Sequence, residues 1–156
     1  MSKYVVKVEW TLKQGESFAD NRYSRAHSWH FDGGAVVEAS SSPLVVPLPW
    51  SNPVGVDPEE ALVASASSCH MLWFLSLAAK AGHAVLSYSD DASGIMAKDD
   101  RGRMAMTRIT LAPVIVFAGG EGPDAAGLAA LHHEAHEKCF IANSLRTEIV
   151  IAGHMP

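Results

Sequence analysis

Hydrophobic and polar positions change their spacing several times along this chain, and each change predicts an element. Tyr4 to Leu12 mixes apolar β-formers with polar residues and reads as a strand, while Ser28 to Phe31 and Ala35 to Ala39 read as a hairpin closed by Asp32-Gly33-Gly34. Residues 40–56 carry Pro43, Pro47, Pro49 and Pro53 and predict an irregular connection, although Leu44, Val45, Val46, Leu48 and Trp50 within it call for burial. Alternation then stops. From Ala61 to Ala79 there is no Asp, Glu, Lys or Arg, which predicts a long helix. Its start is well specified: Asp57 as N-cap, Pro58 at the first helical position and Glu60 completing a capping box. Its end is marked by Lys80, Ala81 and Gly82. Beyond it, Ala84 to Ala97 and Arg103 to Phe117 predict a hairpin around Lys98 to Gly102. The stretch 119–123 predicts a loop, Asp124 to Lys138 a second helix and Thr147 to Ala152 a last strand. This order predicts an α+β fold, a single domain over residues 1–156 with antiparallel sheets packed around a long central helix.

A helix that is apolar or small on every side is either surrounded by protein or spans a membrane. Ser65, Ser67, Ser68, His70 and Ser76 suit hydrocarbon poorly, so burial in protein is the expectation and no membrane partner is foreseen. With 156 residues, one core must cover that helix, and a dimer sharing its core is the natural arrangement. The formal net charge of −5, with no cluster of Lys or Arg, argues against nucleic acid as a partner. Met1 to Lys7 carries no apolar segment of the kind a secretory signal needs, which leads to the expectation of a cytoplasmic protein.

In that reducing compartment two cysteines, Cys69 and Cys139, more often serve chemistry, bind metal or sit inert in a core than form a permanent staple. A helical period puts His132, His136 and Cys139 on one face. Zinc accepts such ligands, but His133-Glu134-Ala135-His136 is not a metalloprotease motif and no second ligand cluster exists apart from Cys69-His70, so no metal is assigned and the histidines read as solvent-facing. Thiol chemistry needs a thiolate. Cys69 lies too deep in its helix to draw on the helix dipole, so a cation must come from elsewhere, and Arg22 and Arg25 are the candidates a loop could deliver. Composition alone also allows Cys69 to be a small buried hydrophobe.

Asp57-Pro58-Glu59-Glu60-Ala61, followed by Ala64-Ser65-Ala66-Ser67-Ser68-Cys69-His70-Met71, resembles the N-P-E-x-L then A-A…A-C signature of the OsmC/Ohr family of thiol-dependent organic hydroperoxide reductases. Arg22-Tyr23-Ser24-Arg25-Ala26 is similar to the family's R-D-G-R-A, and Lys138-Cys139 occupies the place of its second cysteine. The resemblance implies an OsmC-like fold in an intertwined homodimer, with Cys69 the peroxidatic thiolate and Cys139 the resolving thiol. It also implies Arg22 holding the thiolate, with Arg25 as the fallback, and Glu59 orienting the arginine. It further implies organic (alkyl or lipid) hydroperoxides as substrates and no bound cofactor, the enzyme being recycled by an external dithiol such as dihydrolipoyl groups on a lipoylated protein. Trp50, Met71, Trp73, Phe74 and Phe140 could line an apolar approach for the substrate. One departure is plain: the family commonly has Pro after the second cysteine, where this chain has Phe140-Ile141-Ala142-Asn143-Ser144. Ten helical residues separate Glu59 from Cys69 by about 15 Å, too far to share one arginine, so the glutamate serving each Cys69 should come from the partner chain. Two other readings compete with the enzyme: a non-catalytic binder of an apolar small molecule, and a metal-binding protein using the His/Cys face.

Overall fold

The computed structural model describes residues 1–120 and 122–153, so Glu121 of the expected 119–123 loop lies outside the described residues. The chain falls into two compact units, residues 1–61 and 62–156.

In the first unit, β1 (Val6–Glu9), β2 (His27–Phe31) and β3 (Val36–Ala39) form an antiparallel sheet in the order β1-β2-β3. The hairpin between β2 and β3 turns through Gly34 at φ 87°, a left-handed conformation that glycine adopts without a Cβ penalty. Following β3, the proline-containing connection returns beside it: Val56 N–H donates to the Glu38 carbonyl and Ser40 N–H to the Val56 carbonyl. Gly55 sits so close to this crossing that a Cβ would meet the Ala39 carbonyl carbon at 3.0 Å.

Helix α1 (Pro58–Lys80) begins and ends as its sequence specifies. Asp57 Oδ1 accepts from Glu60 N–H at 2.7 Å while Glu60 Oε2 accepts from Asp57 N–H at 3.3 Å, a reciprocal capping box. At the other end Gly82 takes φ 84°, its N–H donates to the Ala79 carbonyl and His83 N–H donates to Ala78, a Schellman stop.

In the second unit, β4 (Val85–Asp90), β5 (Ser93–Lys98), β6 (Met104–Leu111) and β7 (Pro113–Phe117) replace the single uninterrupted hairpin foreseen from sequence. β5 pairs with β6, and β4 with β7, in register with one another, so the two ladders are one long hairpin bent at Asp91-Ala92 and Ala112. The bend has a physical cause. Asp90 accepts from Ala112 N–H at 2.6 Å and from the Ser67 hydroxyl of α1, tying both arms to the helix where the ladder breaks. β8 (Glu148–Ile151) lies parallel to β6, which completes a three-stranded sheet in the order β5-β6-β8. Helix α2 (Ala125–Lys138) is capped by Asp124, which accepts from Gly127 N–H, and a short helix α3 (Phe140–Ser144) follows.

Two buried clusters flank α1. Ala66 packs with Ile109, Leu111 and Ile151 of the sheet; farther along, Phe74, Leu77 and Ala78 pack with Ala135 of α2 and with Tyr88 and Ile115 of β4 and β7. Complete burial of a side chain such as Phe74 contributes about 2–3 kcal/mol. Cys69 and His70 fall between the two clusters along α1. The expectation that α1 is covered on every side is not met within the chain: Leu72 is 62% exposed, and the helix is long and apolar enough to cross a membrane by length and composition.

Candidate functional site: a dithiol beneath an apolar groove

The two cysteines, distant in sequence, are brought together by the packing of α2 on α1. Both are free thiols, and Cys69 is close enough to Cys139 to act on its titration. Cys139 is 1% exposed and occupies a joint in the backbone. Its N–H donates to the His136 carbonyl at the end of α2, and its Sγ accepts from Ala142 N–H at 3.4 Å as the N-cap of α3. Burial pushes the Cys139 thiol up from its ordinary range and the neighbouring Cys69 pushes the same way, against the Ala142 N–H. Cys139 is therefore held as a neutral thiol in the resting protein, while Cys69 is partly open to the surface.

Above Cys69 lies a groove of about 540 Å³. Leu72, Trp73, Phe140 and Ile141 supply apolar walls, and Ser65, Ser68 and Ser76 present a line of small polar side chains along α1. Ring contacts fix one wall: Trp73 and Phe140 meet edge-on with centroids 5.6 Å apart, and Lys138 lies over the Trp73 ring at 5.8 Å. Of the side chains expected to line an apolar approach for the substrate, the structure places Trp73 and Phe140 on this groove. Phe74 is not on it: it is wholly buried against Tyr88 and His132, because it stands one residue round α1 toward the core. Met71 is not among the lining residues. Ile141 and Leu72 were missed, Ile141 because α3 gave no periodic signal of its own.

The arginines sit in the first unit, and each has a local partner. Ser17 and Arg22 exchange backbone bonds at 3.0 Å across a turn that puts Asn21 at φ 58°, and the Arg22 guanidinium pairs with Asp20 at 2.8 Å. Arg25 lies over the Tyr23 ring at 3.7 Å and donates to the Asn21 carbonyl at 2.8 Å, while its N–H donates to the Trp50 carbonyl at 2.8 Å. Arg22 is thus engaged by Asp20, its neighbour in the same turn, and Glu59 has no ionic partner among the described residues. Glu59 and Cys69 stand ten residues apart on the unbroken helix α1.

The reading of the histidines as solvent-facing is corrected at His132. It is 2% exposed, and its Nδ1 lies 3.0 Å from Nε2 of His70, itself 1% exposed, with the two rings nearly parallel. His136 is half-buried and His133 exposed. Periodicity identified the face, but nothing in a lone sequence said that His70 stands opposite. Burial, with a smaller contribution from His136, pushes His70 down to about 4. Among the described residues no three His, Cys, Asp or Glu side chains gather as a metal-binding group.

Comparison with known proteins places this arrangement. Residues 51–152 match the family model described as OsmC-like protein. No curated protein matches the chain. Among solved structures, an OsmC-like protein of unknown function from Vibrio cholerae is 52% identical, covering 97% of this chain and 98% of that one at a TM-score of 0.94. An OsmC-like protein from Mycoplasma pneumoniae is 13% identical over 96% of this chain and 94% of its own, with TM-score 0.70. An organic hydroperoxide resistance protein from Elizabethkingia anophelis is 16% identical over 96% of each chain, with TM-score 0.66; likeness at these low identities carries the fold alone. The family match spans α1, the bent hairpin, α2 and both cysteines, and the chain belongs to the OsmC-like family.

Proposed function

We propose that the protein is a cysteine-based organic hydroperoxide reductase, acting as a cytoplasmic homodimer. The observation that carries this reading is the pairing of Cys69 and Cys139 as neighbouring free thiols, with Cys69 opening onto an apolar groove. An inert core cysteine needs neither a thiol partner nor an approach for an alkyl chain.

In the proposed cycle the Cys69 thiolate attacks the terminal oxygen of ROOH. The O–O bond breaks, the departing alkoxide takes a proton to become the alcohol, and Cys69 becomes a sulfenic acid. The Cys139 sulfur then attacks the sulfenic sulfur, and its proton leaves with the hydroxyl as water, giving one disulfide. An external dithiol, with dihydrolipoyl groups the class implied by the family resemblance, returns both thiols by exchange. Arg22, or Arg25 as the alternative, would hold the Cys69 thiolate and stabilise the developing alkoxide. Arg22 is paired with Asp20, and Arg25 lies over Tyr23. Leu72, Trp73, Phe140 and Ile141 would take the alkyl group, which favours organic peroxides over hydrogen peroxide. The exposure of Leu72 on α1 supports the dimer, in which the partner's α1 would supply the glutamate serving Cys69.

The groove also supports a second reading, a non-catalytic binder of an apolar small molecule. Steady-state turnover separates the two. With dihydrolipoamide as reductant, cumene hydroperoxide should be consumed by the native protein and not by Cys69→Ser. Arg22→Ala or Arg25→Ala, whichever residue serves, should lower kcat/KM by about 100-fold, the scale of removing one transition-state donor. No turnover with either organic or hydrogen peroxide, alongside saturable binding of an apolar probe, would favour the binder.

A further inference from the structure

We propose that the buried His70–His132 pair positions the dithiol: it fixes the register of α2 on α1 and thereby holds Cys139 within reach of Cys69. The proposal rests on the reading of the two cysteines as a redox pair.

His70 follows Cys69 directly on α1, and His132 precedes Cys139 by seven residues, two turns of α2 on the same face. The two links between these helices therefore share their elements. The imidazoles meet at 3.0 Å, packed by Phe74 at 4.6 Å from the His132 ring centroid. Stability alone does not account for them, since a buried polar pair is seldom better than an apolar pair of similar volume. His70 Nδ1 is moreover buried without a hydrogen-bond partner. The tautomer that buries a bare acceptor there, and not a bare N–H, makes His70 Nε2 the donor to His132 Nδ1.

What the pair supplies is directionality. Apolar side chains such as Leu77, Ala78 and Ala135 tolerate sliding of one helix over the other, whereas displacing α2 by one residue breaks the imidazole bond and strands buried nitrogens. Cys139 is especially sensitive to such a slide, because it stands at the joint between α2 and α3 and Phe140 and Ile141 move with it.

The test uses closure of the disulfide by diamide, which takes two electrons and two protons from the thiol pair and involves no peroxide. His70→Leu/His132→Leu keeps the core apolar and close in volume. It should remain folded with a near-native melting midpoint, yet close its disulfide at least tenfold more slowly. Its thiol–disulfide equilibrium with glutathione should shift by a similar factor toward the dithiol. Native closure rate and equilibrium in the folded double variant would overturn the proposal. As a second comparison, His132→Asn retains a hydrogen-bonding side chain and should close faster than His132→Leu; equal rates would overturn it too. Normal diamide closure in a native protein that fails to reduce peroxides would count against the enzymatic reading alone.

Discussion

Cys139 joins chemistry to backbone structure, since its amide ends α2 and its sulfur caps α3. Serine is a good N-cap, so Cys139→Ser should retain stability within about 1 kcal/mol in urea unfolding while losing disulfide closure; a loss of several kcal/mol would mean that the thiol's packing, and not its cap, holds this joint. His70 gives a pH dependence whose sign is fixed. Its ordinary value is 6.5 and burial lowers it to about 4, so between these values the unfolded chain binds the proton and the native one does not. Stability should be unaffected by His70 above pH 6.5, fall as pH drops from 6.5 to 4, and level off below, with a total loss of about 3 kcal/mol. Urea midpoints for the native protein should therefore decline more steeply across this window than those of His70→Leu, whose equal slope would contradict the assignment. The two cysteines could be singled out in the sequence because their residue type carries chemistry. The His70–His132 bond could not, because a residue's partner across two helices leaves no mark at either position.

At the level of elements, α1 was the most legible, since a capping box and a Schellman glycine are local signals and both form as written. The bent hairpin was not legible. Its break depends on Asp90 bonding Ala112 N–H and Ser67, a tertiary contact between residues far apart in sequence. Asp90→Ala should leave a backbone donor and a hydroxyl without their acceptor and lower stability by about 2 kcal/mol, with Asp90→Asn milder because its amide oxygen can still accept. An unchanged denaturation midpoint for Asp90→Ala would show that the bend is held by packing alone. Helix α3 escaped detection because five residues carry too little periodicity, and the parallel pairing of β8 with β6 because its register is set over forty residues of intervening chain.

Across the whole molecule, the proposed homodimer would cover Leu72, the large apolar side chain left exposed on α1. Light scattering should find twice the chain mass, and Leu72→Glu, which charges an exposed position on that helix, should lower it toward one chain if that face is the contact. A monomeric native protein that retains activity would remove the partner-supplied glutamate from the account. The central claim is that Cys69 and Cys139 form a redox pair serving organic hydroperoxides, and single-turnover oxidation tests it most directly. Fully reduced protein is mixed anaerobically with one equivalent of cumene hydroperoxide or of hydrogen peroxide and followed by intact mass and free-thiol count, with Cys69→Ser and Cys139→Ser alongside. The account predicts rapid loss of two thiols, faster with the organic peroxide, absent in Cys69→Ser and replaced by overoxidised Cys69 in Cys139→Ser. Slow oxidation of both thiols, indifferent to the peroxide and to which cysteine remains, would contradict it.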